Sequence, residues 1–278
     1  MFEELDRGLP ASDPDGVWQL ITSVGAGCDA WLVDEVVRLL ESYGIRRGAS
    51  LLDLGAGFGN PALGLARAGY EIVAIESDPE MVSQLRNFDR GESVSVIERP
   101  WQEVLSEFAP SSFDAALILG NAIAYQDTWP ARQASEGDWN PAVGATWSAL
   151  SRVIRKGGLL ISEISFENPC DTAHELFFRS YRHGTVNSTW LVSCNHVSKV
   201  RSIDTFVVAP SETERGRVVG YAKYIGHLFY EDEMIQALRT AGWRRLEKAA
   251  VLRDPFTTVI AVNESTGGEP WDGHVTLK

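Results

Sequence analysis

The chain predicts an α/β protein built on a doubly wound, mostly parallel seven-stranded sheet, with an antiparallel β meander inserted before the last helix. Three observations carry that reading. Short β-prone runs alternate with helical stretches between residues 51 and 164, the pattern of a parallel sheet with crossover helices. A glycine-rich turn, Gly55-Ala56-Gly57-Phe58-Gly59, joins the first of those runs to a helical stretch, as in Rossmann-like sheets. After Ile164 the alternation stops, and residues 186–228 read as successive β-prone runs joined by short polar turns.

Residues 1–29 hold Pro10, Pro14 and several glycines without an apolar period, so they form an arm or lid outside the core. From Trp31 to Tyr43, Leu32, Val33, Val36, Val37 and Leu40 recur at helical spacing until Gly44 ends the pattern. Strands follow at Leu51–Leu54, Ile72–Glu76, Val94–Ile97, Ala115–Leu119 and Leu159–Ile164. Helices are expected at Pro61–Ala68, Pro79–Phe88, Trp101–Phe108 and Val143–Ile154, the last with Val143, Trp147, Leu150 and Ile154 on one face. The meander comprises Thr189–Val192, Val197–Val208 and Val218–Phe229. A helix over Glu231–Ala241, stopped by Gly242, then leads to strands Arg245–Val251 and Phe256–Val262, joined as a hairpin through Arg253-Asp254-Pro255. Fraying is expected from Asn263. The organisation is thus an arm (1–29), a ligand-binding core (30–165), an inserted substrate-side segment (166–229), the end of the core (230–263) and a tail (264–278).

Composition narrows the function. The 278 residues carry 25 Lys and Arg against 38 Asp and Glu, a formal net charge of −13, and no basic run. Nucleic acid and anionic membrane surfaces are therefore not expected partners, because both are recognised by clustered cations. No apolar run approaches the roughly 20 residues that span a bilayer, and the acidic start Met1–Asp6 lacks the pattern of a secretory signal. Cys28, Cys170 and Cys194 have neither disulfide-framework nor metal spacing, and His174, His183, His196 and His274 are scattered, so no metal site is expected. A cytoplasmic protein with a small-molecule substrate is expected; self-association into a homo-oligomer is left open.

The informative stretch is Leu51-Leu52-Asp53-Leu54-Gly55-Ala56-Gly57-Phe58-Gly59-Asn60-Pro61. A strand ending in a tight glycine turn lets backbone N–H groups approach a nucleotide-like ligand closely. The dinucleotide fingerprint G-x-G-x-x-G is not met, since Asn60 stands in the last slot. Asp53 adds negative charge where a pyrophosphate would be repelled, and it suits a cationic ligand; S-adenosylmethionine carries both a sulfonium and an ammonium. Glu76 closes the next strand, where a carboxylate can accept hydrogen bonds from both hydroxyls of a ribose. The alternatives are a purely structural turn and a solvated helix cap.

With its D-x-G-x-G-x-G motif and the acid closing the second strand, the chain resembles the class I S-adenosylmethionine-dependent methyltransferases over roughly residues 30–262. The resemblance implies that Asp53 lies near the methionine part of the cofactor, that Gly55, Ala56, Gly57 and Gly59 wrap it, and that Glu76 and Ser77 hold the ribose. Leu119-Gly120-Asn121 and Gly157-Gly158-Leu159-Leu160-Ile161 are more narrowly similar to the glycine N-methyltransferase group. That similarity implies that Leu119, Gly120 and Asn121 border the methionine portion and that Trp101, between Pro100 and Gln102, lines the adenine. Trp101 reads equally as the first core residue of its helix. The group's arginine after the fifth strand, which grips an amino-acid carboxylate, is replaced here by Glu163-Ile164-Ser165-Phe166-Glu167, and its arginine before the first helix is not evident in Gly25–Ala30. Free glycine and sarcosine are therefore not expected acceptors, and the acids favour a cationic amine.

Tyr125, Trp129, Trp139, Glu163 and Tyr224 are the expected acceptor-side residues. The two tryptophans read either as a cap over a ring-bearing substrate or as core packing under a long loop. Methyl transfer is an in-line displacement for which the protein supplies position and desolvation. Asn121, Tyr224 and His227 are the candidate catalytic groups, with His227 able to take a proton, to cap the helix at Glu231 or to pack as a neutral core histidine. The expected activity is S-adenosylmethionine-dependent N-methylation of a larger, natural-product-like small molecule in secondary metabolism. The alternatives are a small-molecule O-methyltransferase, a cofactor-binding module without turnover, and a nicotinamide oxidoreductase, against which Asn60 weighs.

Overall fold

The computed structural model describes residues 11–14, 16–17, 30–89, 93–129, 139–168, 173–183, 186–209, 217–249, 252 and 256–264. The chain forms two compact units, one drawing on residues 28–126, 138–168 and 229–278, the other on 1–27, 127–137 and 169–228.

The larger unit opens with α1 (Ala30–Ser42), which buries Leu32, Val33, Val36 and Leu40 as its apolar period requires. There follow β1 (Ser50–Leu54), α2 (Ala62–Arg67), β2 (Glu71–Glu76), α3 (Pro79–Asp89), β3 (Val94–Glu98), α4 (Trp101–Val104), β4 (Phe113–Ile118), α5 (Asn140–Val153) and β5 (Ile154–Ile164). Four strands, β6 to β9, belong to the other unit; α6 (Glu231–Thr240), β10 (Arg245–Lys248) and β11 (Thr257–Val262) complete this one. The sheet order is β10-β11-β5-β4-β1-β2-β3. β1 to β5 run parallel, while β11 is antiparallel to both of its neighbours, β5 and β10. Leu51, Leu52 and Leu54 of β1 and Ala115, Ala116 and Leu117 of β4 are all buried, because helices cover both faces of a parallel sheet. Chain order reverses between β1 and β4, which puts their carboxyl ends side by side at the switch point where doubly wound sheets bind ligands.

The expected helix over Trp101–Phe108 stops at Val104. Beyond it the Glu107 N–H turns to the Val104 carbonyl at 2.9 Å, an i to i−3 bond, and Arg152 donates to the carbonyls of Leu105 (2.6 Å) and Phe108 (2.8 Å). Asn263, the point from which the sequence predicts fraying, is fully buried. Its Nδ2 donates to the carbonyls of Ser151 and Ile154, each at 2.7 Å, and so ties the last strand to the end of α5. The Arg253-Asp254-Pro255 turn lies outside the described residues, as does most of the arm.

The smaller unit contains β6 (His174–His183), β7 (Val186–Asn195), β8 (Val200–Ala209) and β9 (Arg217–His227), a four-stranded antiparallel sheet in chain order. The sequence predicts three runs in this meander; β6 escapes a period-2 search because His174-Glu175-Leu176-Phe177-Phe178-Arg179 does not alternate. The run expected from Val197 starts at Val200, since Asn195 Oδ1 accepts the N–H groups of Val197 and Ser198, both at 3.0 Å, and so makes a side-chain-closed turn there. Alternation on the buried face is then regular, with Ser188, Trp190, Val192 and Cys194 on β7 and Arg201, Ile203, Thr205 and Val207 on β8. Among the described residues no helix is long and apolar enough to cross a membrane.

Trp147 anchors the larger unit's core, as its helical face predicts. It is fully buried; its Nε1 donates to Met234 Sδ (3.3 Å) and its carbonyl accepts from Trp243 Nε1 (3.0 Å). Trp147→Ala should cost about 3–5 kcal/mol in urea denaturation, and a loss below about 1 kcal/mol would contradict this packing.

Candidate functional site

The glycine turn leaves β1 at the switch point. Gly55 and Ala56 donate to the Ile75 carbonyl of β2, at 2.9 and 3.2 Å, which straps the turn to the neighbouring strand. Gly55 is left-handed (φ +70), and a Cβ there would meet Ala122 Cβ at 2.9 Å and Trp101 Cζ3 at 3.2 Å. Gly59 (φ +91) is excluded from carrying a side chain in the same way, by Leu63 at 2.9 Å. Gly55 and Gly59 are thus demanded by backbone shape and close packing together, and Gly57 (φ +55) by backbone shape.

Glu76 closes β2 and is nearly buried. Its Oε2 accepts the Gly57 N–H (2.9 Å), and its Oε1 accepts those of Ser77 (2.7 Å) and Asp78 (2.9 Å). Burial pushes the Glu76 carboxyl above its ordinary value, although the three N–H groups pull in the other direction. Asp78 then caps α3, accepting from Glu80 and Met81. Asp53 is buried on β1.

A second left-handed turn leaves β4. Gly120 (φ +64) and Asn121 (φ +60) adopt positive φ in succession. Asn121 Oδ1 accepts the Ser165 N–H at 2.9 Å, and Glu163 Oε2 accepts the Gly120 N–H at 2.6 Å. Glu163, expected on the acceptor side, is fully buried and holds this turn instead. Leu119 is buried, and its carbonyl accepts from Ala122 at the start of the single 3₁₀ turn Ala122–Tyr125. Tyr125 packs partly buried against the core.

Trp101 satisfies both of its readings. It is a buried member of the core and, through the ring atom near Gly55, a wall of the glycine turn. Its Nε1 is buried without a hydrogen-bond partner among the described residues. Pro100 precedes α4 in extended conformation, and Gln102 Nε2 donates to the Gln126 carbonyl at 2.7 Å. A glycine cradle closed to side chains, an acid at the end of β2 and an orphaned indole N–H fit a nucleoside-bearing cofactor.

The remaining expected residues divide between the units. Trp139 belongs to the larger one, 2% exposed and packed edge-on against Phe229 with centroids 4.9 Å apart. It serves the core, and the expectation of a substrate cap is corrected to that extent; residues 130–138 lie outside the described set. In the smaller unit Trp129 stacks on Tyr224, with centroids 5.4 Å apart and planes 16° apart. Tyr224 donates to the Pro14 carbonyl (2.8 Å), and Asp13 N–H donates to the Tyr221 carbonyl on the same strand (2.9 Å). His227 pairs with Asp127 at 2.9 Å, and the residue that precedes α6 is Tyr230. Asp127 is not singled out by the sequence, where nothing local marks it.

Residues 52–162 match the model of a methyltransferase domain family. That segment runs from β1 to β5 of the Rossmann-like sheet, and S-adenosylmethionine is the cofactor that similarity to a methyltransferase domain of this fold implies. An uncharacterised protein of Mycobacterium tuberculosis is 30% identical over 162 residues, covering 55% of this chain and 50% of that protein. The chain spans about half the length of the curated relatives it matches. Among solved structures, DesVI of Streptomyces venezuelae superposes with a TM-score of 0.64 at 15% identity, covering 91% of this chain and 99% of that one. The sugar N-methyltransferase KedS8 from Streptoalloteichus gives 0.61 at 18% identity over 93% and 96%. An S-adenosylmethionine-dependent methyltransferase from Clostridium acetobutylicum gives 0.62 at 13% identity over 88% and 95%. At these identities the superpositions establish the fold.

The Gly120–Asn121 turn is held by the Gly120 N–H donating to Glu163 Oε2. Glu163→Ala should lower stability by about 2 kcal/mol in urea denaturation by orphaning the Gly120 N–H, and Glu163→Gln, which keeps an acceptor oxygen, should recover most of it. Equal losses in the two variants would contradict the assignment.

Proposed function

We propose that the protein transfers a methyl group from S-adenosylmethionine to an amine of a ring-bearing small molecule, with its natural acceptor in secondary metabolism. The observation that carries the cofactor half is the Glu76 carboxylate at the end of β2, hydrogen-bonded to the Gly57 N–H of the glycine turn. Asp53, Gly55, Ala56, Gly57 and Gly59 would hold the methionine portion with Leu119, Gly120 and Asn121, Glu76 and Ser77 the ribose, and Trp101 with Pro100 and Gln102 the adenine. When bound, the cofactor supplies an electrophilic methyl on a sulfonium.

For the acceptor half, the Trp129–Tyr224 stack supplies an aromatic surface and His227 a base. No arginine stands after β5 to grip a free amino-acid carboxylate, and a carboxylate buried without a paired cation costs several kcal/mol, so glycine is disfavoured. The sugar N-methyltransferase and the amino pentose methyltransferase CalS10 among the structural neighbours support an amine on a ring. A hydroxyl acceptor is the second reading, since His227 could deprotonate it.

S-adenosylhomocysteine should bind in a calorimetric titration and NAD should not; the reverse would contradict the cofactor assignment. Glu76→Ala should weaken S-adenosylhomocysteine binding by roughly 1–3 kcal/mol. The raised Glu76 pKa also sets a pH dependence. Ribose hydroxyls donate to the ionised carboxylate, so affinity should fall as acidification protonates Glu76, at a higher pH than an ordinary glutamate titrates. The fold responds with opposite sign: its gain from protonated Glu76 is full below the unfolded-state value and is lost as pH rises through the raised one. An affinity that does not change on acidification in the native protein would remove Glu76 from the ribose site.

Methyl-tritiated S-adenosylmethionine offered with amino hexoses, aminonucleosides, aromatic amines and their hydroxyl counterparts tests the acceptor. Label should pass to an amine, and Trp129→Ala should slow transfer while leaving S-adenosylhomocysteine affinity intact. Transfer to the hydroxyl counterparts alone would favour the second reading.

A further inference from the structure

β9 is an edge strand of the smaller unit's sheet, so a row of its backbone groups faces outward. Part of that row is covered by residues 11–14 of the chain itself, which belong to the same unit. Asp13 N–H donates to the Tyr221 carbonyl at 2.9 Å, and Ser12 Oγ accepts the Lys223 N–H at 3.3 Å. One residue further on, the Pro14 carbonyl accepts the Tyr224 hydroxyl at 2.8 Å. A phenol has one proton to give, and this ring, stacked on Trp129, gives it to the segment.

Local chemistry shapes the segment. Asp13 caps a helical turn: its Oδ1 accepts the Gly16 N–H at 3.0 Å and its carbonyl accepts the Val17 N–H at 2.9 Å. Pro14 stands at the first helical position, where its fixed φ is already suitable. A Cβ on Gly16 would meet Asp13 Oδ2 at 2.1 Å, so a side chain there must push the capping carboxylate away. Val17 is buried, whereas Ser12 and Asp13 are exposed. Among the described residues, three hydrogen bonds to β9 and the burial of Val17 hold the segment. So few contacts, with exposed backbone, put it at the low end of local stability.

We propose that residues 11–17 are a strap that opens as one unit before the rest of the fold, holding Tyr224 against Trp129 while docked and uncovering that aromatic surface when released. The use of the surface rests on the acceptor-side role given to the Trp129–Tyr224 stack above: a ring compound reaches the stack in the open form. The strap and the stack both belong to the smaller unit.

Hydrogen exchange of the full chain, read at single amides by NMR, tests the strap with neither cofactor nor acceptor present. The N–H groups of Asp13, Gly16 and Val17 should share one protection factor, at least about tenfold below that of Ile203 on β8. Tyr224→Phe, which removes the hydroxyl, and Gly16→Ala, which displaces the Asp13 carboxylate, should each lower the protection of all three by about three- to tenfold without changing Ile203. Asp13→Ala should act like Gly16→Ala, and Asp13→Asn, which keeps a capping oxygen, should restore protection. Protection equal to that of Ile203, or a loss confined to the amide beside each substitution, would overturn the proposal. Tetranitromethane attacks the ring carbon next to a phenol oxygen, so Gly16→Ala should speed nitration of Tyr224 at least about threefold, read by mass spectrometry. Equal rates in the two proteins would show that the strap does not cover the ring. The panel amine that takes up most label should lower the strap's protection, because a ligand of the open form draws the population toward it, and unchanged or raised protection would overturn the admitting role. Failure of S-adenosylhomocysteine to bind the native protein would instead defeat the methyltransferase reading and leave the exchange and nitration results standing.

Discussion

Carboxylates buried at the carboxyl ends of strands and bound to backbone N–H groups hold the two turns from which the site is built. Glu76 at the end of β2 receives three N–H groups, including that of Gly57 in the turn leaving β1. Glu163 on β5 receives the N–H of Gly120 in the turn leaving β4. The Gly57 and Gly120 bonds each cross from one strand to the turn that leaves its neighbour, so the sheet order converts strand register into loop shape. Burying a carboxylate is expensive unless such donors compensate it, and the raised Glu76 pKa shows that compensation to be incomplete. The left-handed residues Gly57 and Gly120 are each held through their N–H by one of these carboxylates.

The two units are suited to different tasks. The larger one is a mostly parallel sheet with buried apolar residues on its central strands. The smaller one is an antiparallel sheet whose buried face mixes apolar side chains with Ser188, Arg201, Thr205 and Tyr224. The segment Ala11–Pro14 runs along β9, where Ser12 Oγ accepts the Lys223 N–H and Pro14 the Tyr224 hydroxyl.

Much of the fold was legible because its signals are local. The strands of the parallel sheet are apolar runs bounded by glycines and charges, and the glycine turn with Glu76 announces itself by spacing. What was missed depends on partners distant in sequence. Arg152 satisfies two carbonyls after α4 from more than 40 residues away, and Asn263 is buried with its amide on two carbonyls at the end of α5. Glu163 reads as a free acid until the Gly120 N–H is set beside it. Trp129 and Trp139 look alike as loop tryptophans, yet one stacks on Tyr224 and the other packs on Phe229. Asp127 carries no mark in the sequence, since its meaning comes from His227.

The structure of the protein bound to S-adenosylhomocysteine is the most direct measurement of this account. The ligand should lie along Asp53 to Gly59 with both ribose hydroxyls on the Glu76 carboxylate, its adenine on Trp101, and the Gly120–Asn121 turn unmoved with Glu163 still on the Gly120 N–H. A ligand bound away from Glu76, or a Gly120–Asn121 turn rebuilt on binding with the Glu163 bond broken, would contradict the claim that buried carboxylates hold the site ready for its cofactor.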